Sequence, residues 1–336
     1  MNNLPASSDS TQTMPLSVVA QFDEVTVYQT SALVIDAVDS GQDDSEQNDS
    51  KKNDSEQHRS NMLQTGQSSY GKLNLGLHVQ DNAEVVLQNR MDLLGTINQQ
   101  LELAQTALPN STIKIPAIKS LHWVNQVHGQ KIHDIDASRL SMQPLDADAL
   151  VSRQSGVGLA IMTADCVPIV LYQPATHQIA AIHAGWQGLA CGVIKTTADR
   201  FDSHSPIMAW VGVCISQENY EVGSEVADKL LAGCTDNQLL SSAQLHNFTQ
   251  LFCLKSDKED RCNSDDKLRL DLPKLAIAQL QALSITLLNE SAIDCSYADS
   301  RYYSYRRQTH LQQSMTGRMA LIIVHHDPIE NRMSKS

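Results

Sequence analysis

Apolar positions recur along this chain with two different periods, and they divide it into helical and extended segments. From Ala83 to about Ala107, Val86, Leu87, Leu93, Leu94, Ile97 and Leu101 trace one face at helical spacing, which predicts a long amphipathic helix. Asp81 or Asn82 stands where an N-cap is needed. Other runs are apolar and rich in β-branched residues: VTVYQTSALVI (25–35), HWVNQVH (122–128), ADALVS (147–152), GVGLAIMTA (156–164), CVPIVLY (166–172), QIAAIH (178–183), IMAWVGVCI (207–215) and TGRMALIIV (316–324). Each reads as a strand. Many are apolar on both faces, as in a sheet covered on each side. Further helices are expected at about 187–202, Ser224–Leu231 and Leu272–Leu283, the last with Pro273 in its first turn. SAIDCSYADS, 291–300, reads as a short strand plus loop. The irregular alternation predicts an α+β protein, sheets covered by helices, in a single domain from about 16 to 327.

Polar segments interrupt this pattern. Residues 1–15 and the tail 328–336 are expected to be frayed. DAVDSGQDDSEQNDSKKNDSEQHRSN contains DSEQ twice and buries too little apolar surface to offset ordering, so 37–66 is expected to be a disordered acidic insertion. A second polar insertion is expected at 255–267. There is no internal repeat of fixed period.

Net charge is −13 at neutral pH, of which −5 comes from residues 36–59. A nucleic-acid surface requires a basic footprint, so nucleic acid is excluded as the expected partner. A small anionic substrate needs only a few well-placed cations. Seven cysteines form no CxxC and no dense framework, which fits free thiols in a reducing compartment. No run reaches the roughly 18 apolar residues of a membrane helix. The N-terminal residues show no signal-peptide pattern, and a cytoplasmic location is the expectation.

The chemistry concentrates between Asn125 and Gly188. His128 in NQVHG, Cys166 in TADCVP and His183 in HAGWQG each stand where a predicted strand gives way to a loop. Two imidazoles and a thiolate suit a borderline-soft metal such as zinc, and three ligands with an open position is a catalytic pattern. The same residues would serve a cysteine hydrolase, with Cys166 as nucleophile, either histidine as base and Asp165 as orienter. Scattered core residues are the third reading. HAGWQG, with Gly185 at the start of a helix, is a candidate anion cradle or simply a close-packed turn. Trp186 would stack on a base or fill the core. Arg306 and Arg307 in YYSYRR are guanidinium forks suited to phosphate or to a surface ion pair. Asn74, His78 and Arg90 are weaker candidates of that kind. Clustered HxH pairs of a copper oxidase, the HxE…PCxxC of nucleobase deaminases, GxGxxG, GxSxG and HExxH are all absent.

SSYGKLNLGLHVQDN…NR, NQVHG, DADALVS, TADCVPIVLY, HAGWQG, NYEVG, LDLP, YYSYRR and TGR occur in an order that resembles the YfiH/laccase-domain family. Its bacterial members are described as purine nucleoside phosphorylases and are also named peptidoglycan editing factor. Departures are local: the acidic insertion occupies a Gly-rich loop region, and GVCIS and CSYAD replace the usual turns. The resemblance implies a four-layer α/β/β/α sandwich and a zinc site at His128, Cys166 and His183. It implies activity on adenosine, inosine and methylthioadenosine with phosphate, plus adenosine deamination. The older laccase label implies copper, which the missing HxH ligands do not support. The family trio has also been read as a cysteine-hydrolase site acting on peptidoglycan precursors.

Overall fold

In the computed structural model the described residues are 14–22, 24–32, 70–106, 117–138, 144–255, 267–289 and 293–326. The acidic insertion at 37–66, the interior of the second insertion and the tail at 328–336 lie outside them, as do residues 1–13.

The doubly apolar strands assemble into two facing sheets. The first contains β1 (Leu16–Gln21), β2 (Val25–Thr30), β3 (Ser120–His122), β6 (Val157–Thr163) and β14 (Met319–His325), in the order β1-β2-β14-β6-β3. The second contains β4 (Ile132–Asp134), β5 (Ala149–Ser152), β7 (Val167–Gln173), β8 (Gln178–Ala184), β9 (Met208–Val211) and β13 (Thr286–Leu287), in the order β13-β9-β7-β8-β5-β4. A small third sheet joins β10 (Glu221–Gly223), β11 (Cys253–Lys255) and β12 (Lys267–Leu270).

Strand parity explains why both faces are apolar. In β14, Leu321 and Ile323 pack between the two large sheets, whereas Ala320, Ile322 and Val324 pack outward with the long helix. In β8, Ile179 and Ala181 face the opposing sheet while Ala180, Ile182 and Ala184 face the other helices. Two outer cores and one central core follow, which is the four-layer α/β/β/α sandwich.

The long helix spans Ala83–Thr106 and covers the first sheet through buried Val86, Leu93, Ile97 and Leu101. Asn82 Oδ1 accepts from the Glu84 N–H at 2.9 Å, fulfilling the cap. Leu87, expected on the buried face, is exposed. On the second sheet the helices Trp186–Cys191, Val193–Ala198, Ser224–Asp236 and Leu272–Ala282 supply the other outer layer.

Several boundaries differ from the sequence expectation. The segment 187–202 breaks into two short helices at Gly192, whose φ of +82° is left-handed. The predicted strand at 207–215 stops at Val211, and the described residues of the expected strand at 291–300, from 293 on, contribute an isolated bridge between Cys214 and Cys295. β1 was not anticipated, and it pairs antiparallel with β2. The second insertion lies between β11 and β12, which pair antiparallel.

Candidate active site

His128 was expected at a strand end, but β3 finishes at His122 and residues 123–128 hold only an isolated bridge from Asn125 to Asp146. His128 has a left-handed φ of +60°. That conformation is unfavourable for a residue with a Cβ, so something must hold it. Asp148, two residues ahead in line with the inward-facing Leu150 of β5, supplies the hold. Its carboxylate accepts the backbone N–H groups of His128 at 2.8 Å and of Gly129 at 2.6 Å. The same carboxylate accepts His183 Nδ1 at 2.9 Å. One buried anion therefore fixes the loop carrying the first histidine and the ring of the second.

Cys166 arrives from the turn between β6 and β7, and His183 from β8, where it pairs with Pro168 across the strands. Cys166 Sγ lies 3.8 Å from His128 Nε2. The two imidazole rings meet edge to face, with centroids 4.6 Å apart. One donor atom from each of His128, Cys166 and His183 lies within 4.8 Å of the others. His183 is buried, Cys166 partly so, and His128 exposed, so the cluster opens to solvent on one side.

The electrostatics favour a thiolate. Burial opposes ionisation of Cys166, but the His183 and His128 imidazoles outweigh it and bring the thiol down to about 6. Burial likewise disfavours the His183 cation, yet Cys166 and Asp148 push it up to about 9. Asp148 stays ionised because the bonds from His183 and the two backbone N–H groups more than offset burial.

Gly185 abuts this cluster. A Cβ built there would stand 3.0 Å from both Cys166 Sγ and His128 Cδ2. The expected anion cradle is reduced to a six-residue helix, Trp186–Cys191, so the role of Gly185 visible in the structure is clearance for the trio. Trp186 packs against the core of the outer layer.

The remaining predicted residues divide. Asp165, at a φ of +121°, does not orient either histidine. Its carboxylate accepts Ser296 Oγ at 2.8 Å and the Arg306 N–H at 2.7 Å, tying the 296–306 segment beside Cys166. Burial raises its pKa, with Ser304, Arg306 and Ser296 opposing. Arg307, expected as a phosphate contact, braces a loop in this structure: its terminal nitrogens donate to the carbonyls of Ser296, Tyr297, Asp299 and Tyr302. Asn74 is also structural: it is buried, bonds Asp81, and accepts the Gly76 and Arg318 N–H groups at 2.9 Å each. Arg90 is held by the Leu75 carbonyl and lies over Trp123. Arg306 donates one nitrogen to the Glu221 carbonyl at 2.6 Å and lies over Tyr220, on the Asp165 side of the cluster.

Two residues gain importance that the sequence reading did not give them. Asp148 sits inside DADALVS, which looks like an ordinary strand entry. Its only signal was a carboxylate directly before an apolar run. Arg318, in TGR, is half-buried, and that burial lowers its pKa while the nearby Cys166 and Asp165 oppose the shift. His78, an exposed side chain, is lowered by partial burial and by Arg318, Arg90 and the trio imidazoles, which places it on the same rim.

Sandwich and site together define a layered α+β protein with a solvent-open thiolate–imidazole centre. Residues 58–326 match the family model described as multi-copper polyphenol oxidoreductase laccase, and the chain belongs to that family, the one typified by YfiH. It is 31% identical over 261 residues to a protein of Pseudomonas aeruginosa named purine nucleoside phosphorylase, covering 76% of this chain and 87% of the relative. Purine nucleoside phosphorylase YfiH of Escherichia coli K12 is 31% identical over 259 residues, covering 76% and 86%. Among solved structures, a Neisseria meningitidis protein superposes with a TM-score of 0.61 at 25% identity, over 93% of this chain and 99% of that one. The hypothetical protein YfiH of Bacillus licheniformis gives 0.63 at 22% identity, over 93% and 97%. No described helix is long and apolar enough to cross a membrane.

Proposed function

We propose that this protein is a zinc-dependent purine nucleoside phosphorylase acting on adenosine, inosine and methylthioadenosine with phosphate, with adenosine deamination as a side activity. The observation that carries the reading is the His128–Cys166–His183 cluster, gripped by Asp148, in a chain whose relatives are named purine nucleoside phosphorylases. The donor set fits zinc: one thiolate and two imidazoles, with the His183 tautomer fixed by a carboxylate behind it. Zinc bound there would supply Lewis acidity toward an oxygen of phosphate or water.

The chain's own residues would do the rest. Asp148 holds the proton of His183 on Nδ1 and leaves Nε2 as the donor toward the centre. Arg318 and Arg306 place positive charge beside Asp165 and Cys166, where a phosphate dianion would be attracted. In phosphorolysis a phosphate oxygen bonds to C1′ of the ribose, the bond from C1′ to the base nitrogen breaks, and the purine takes up a proton. His78, whose pKa is lowered by burial and then by Arg318 and Arg90, is suited to relay that proton. Asp165 is less suited, because both carboxylate oxygens accept bonds from the 296–306 loop.

A product assay tests this: adenosine with and without phosphate, products separated by chromatography. Phosphate-dependent adenine and ribose 1-phosphate are expected, with inosine reporting the deaminase branch. His128→Ala should lose most activity and retain zinc weakly. Full activity in that variant would reject the assignment.

A cysteine amide hydrolase acting on peptidoglycan precursors is supported by the lowered Cys166 thiol within 3.8 Å of His128. In that reading Asp148, not Asp165, is the orienting carboxylate. It predicts inactivation of the metal-free protein by a thiol alkylator at Cys166, with no rescue by zinc.

A further inference from the structure

A second group of ligating side chains closes the opposite end of the central core. Glu24 immediately precedes β2, His177 ends the turn between β7 and β8, and His325 is the last residue of β14. One donor atom from each lies within 4.8 Å of the others. His325 continues the face of Leu321 and Ile323, so its ring points between the sheets. Antiparallel pairing of β14 with β6 sets His325 against Val157 and Met319 against Thr163. The trio lies beyond the Thr163 end, and this group lies at the other. Glu24 and His325 belong to the first sheet and His177 to the second, so the group spans the seam.

The contacts within it are incomplete for a simple ion pair. Glu24 Oε1 accepts the Tyr172 hydroxyl at 2.6 Å and stands 2.6 Å from His177 Nδ1. Its other oxygen is 4.0 Å from His325 Nε2, beyond hydrogen-bond reach. His325 Nδ1 is buried and makes no hydrogen bond. The Gln154 backbone and the Glu24 carboxylate act on this ring from outside normal hydrogen-bond geometry, and a buried imidazole so weakly satisfied is costly. The His177 and His325 rings lie parallel, 5° apart in plane, with centroids separated by 6.3 Å.

We propose that Glu24, His177 and His325 form a second divalent transition-metal site, independent of His128, Cys166 and His183, which clamps the two sheets together at the end away from the candidate active site. Two imidazole nitrogens and one carboxylate oxygen, with no thiolate, suit zinc and neighbouring first-row ions and leave a position for water. Bonds of about 2.0–2.2 Å require donor atoms to approach to roughly 3.3–3.6 Å in a tetrahedral arrangement. The His177 side chain is 60% exposed and can make that adjustment, while Glu24 and His325 are held at 6% and 4% exposure. The same exposure provides the path of entry. Tyr172 bonded to Glu24 orients the carboxylate from behind.

The test uses full-length protein without an affinity tag, stripped with a chelator and titrated with cobalt(II), then with zinc. Two equivalents should bind. One should carry the near-ultraviolet thiolate-to-cobalt band from Cys166, and the other should show only ligand-field bands. His177→Ala should bind one equivalent, keep the thiolate band and keep nucleoside turnover. Cys166→Ser should bind one equivalent and lose the band. The second zinc equivalent should raise the thermal midpoint of the wild type and not of folded His177→Ala. A single equivalent in the wild type, or two in His177→Ala, would overturn the proposal. Glu24→Gln repeats the comparison with no change of size.

Discussion

Replacing Asp148 by Asn probes the part of the site that holds the rest. The wild-type carboxylate is fully buried and accepts three donors: His183 Nδ1, the His128 N–H and the Gly129 N–H. Asn is nearly the same size but offers one acceptor oxygen and an NH2 group. In any rotamer the NH2 faces at least one N–H, so at least one bond is lost and one repulsion is gained. Bonds to a charged group contribute about 1.5–3 kcal/mol each, so a destabilisation of ~2–4 kcal/mol is expected in the metal-free protein. The left-handed backbone at His128 loses its restraint, and His183 loses the carboxylate that helps push it up to about 9. Loss of such an orienting carboxylate typically lowers metal affinity by about 10- to 100-fold. Urea denaturation of chelator-treated protein reads the first quantity, and zinc competition against a chromogenic chelator reads the second. Wild-type stability together with wild-type zinc affinity would refute the inference that Asp148 organises the centre.

Two further outcomes follow from the same geometry. Gly185→Ala is compatible with the backbone, since φ is −73°, but its Cβ would meet Cys166 Sγ and His128 Cδ2 at 3.0 Å. It should therefore fold, with zinc affinity reduced ~10-fold or more, on the scale of a disturbed ligand set; unchanged affinity by the chelator assay would contradict the packing. In metal-free protein, alkylation of Cys166 followed by peptide mass spectrometry should rise through about pH 6 and then level off. The sign follows from a lowered thiol, which is already thiolate at neutral pH. A rate still rising steeply through pH 8.5, as for an ordinary cysteine, would contradict it.

The sequence by itself determined the covered sheets. Uninterrupted apolar runs such as GLAIMT and IAAIH leave no polar face, so each strand must bury both sides whatever its neighbours are. It also isolated His128, Cys166 and His183, because soft ligands at the ends of apolar runs are legible as residue types. Tertiary structure decided what those residues do. His128 took a left-handed loop position, not a strand end, because a carboxylate 20 positions along the chain accepts its N–H. Arg307 and Asn74 became braces because carbonyls and N–H groups from distant segments converge on them. Asp148 became the organising anion, and Glu24, His177 and His325 met at the far end of the seam, because strand register brings together positions 148, 153 and 301 residues apart or less. Local propensity acts over a few residues, and such pairings are fixed only when two sheets close on a common core.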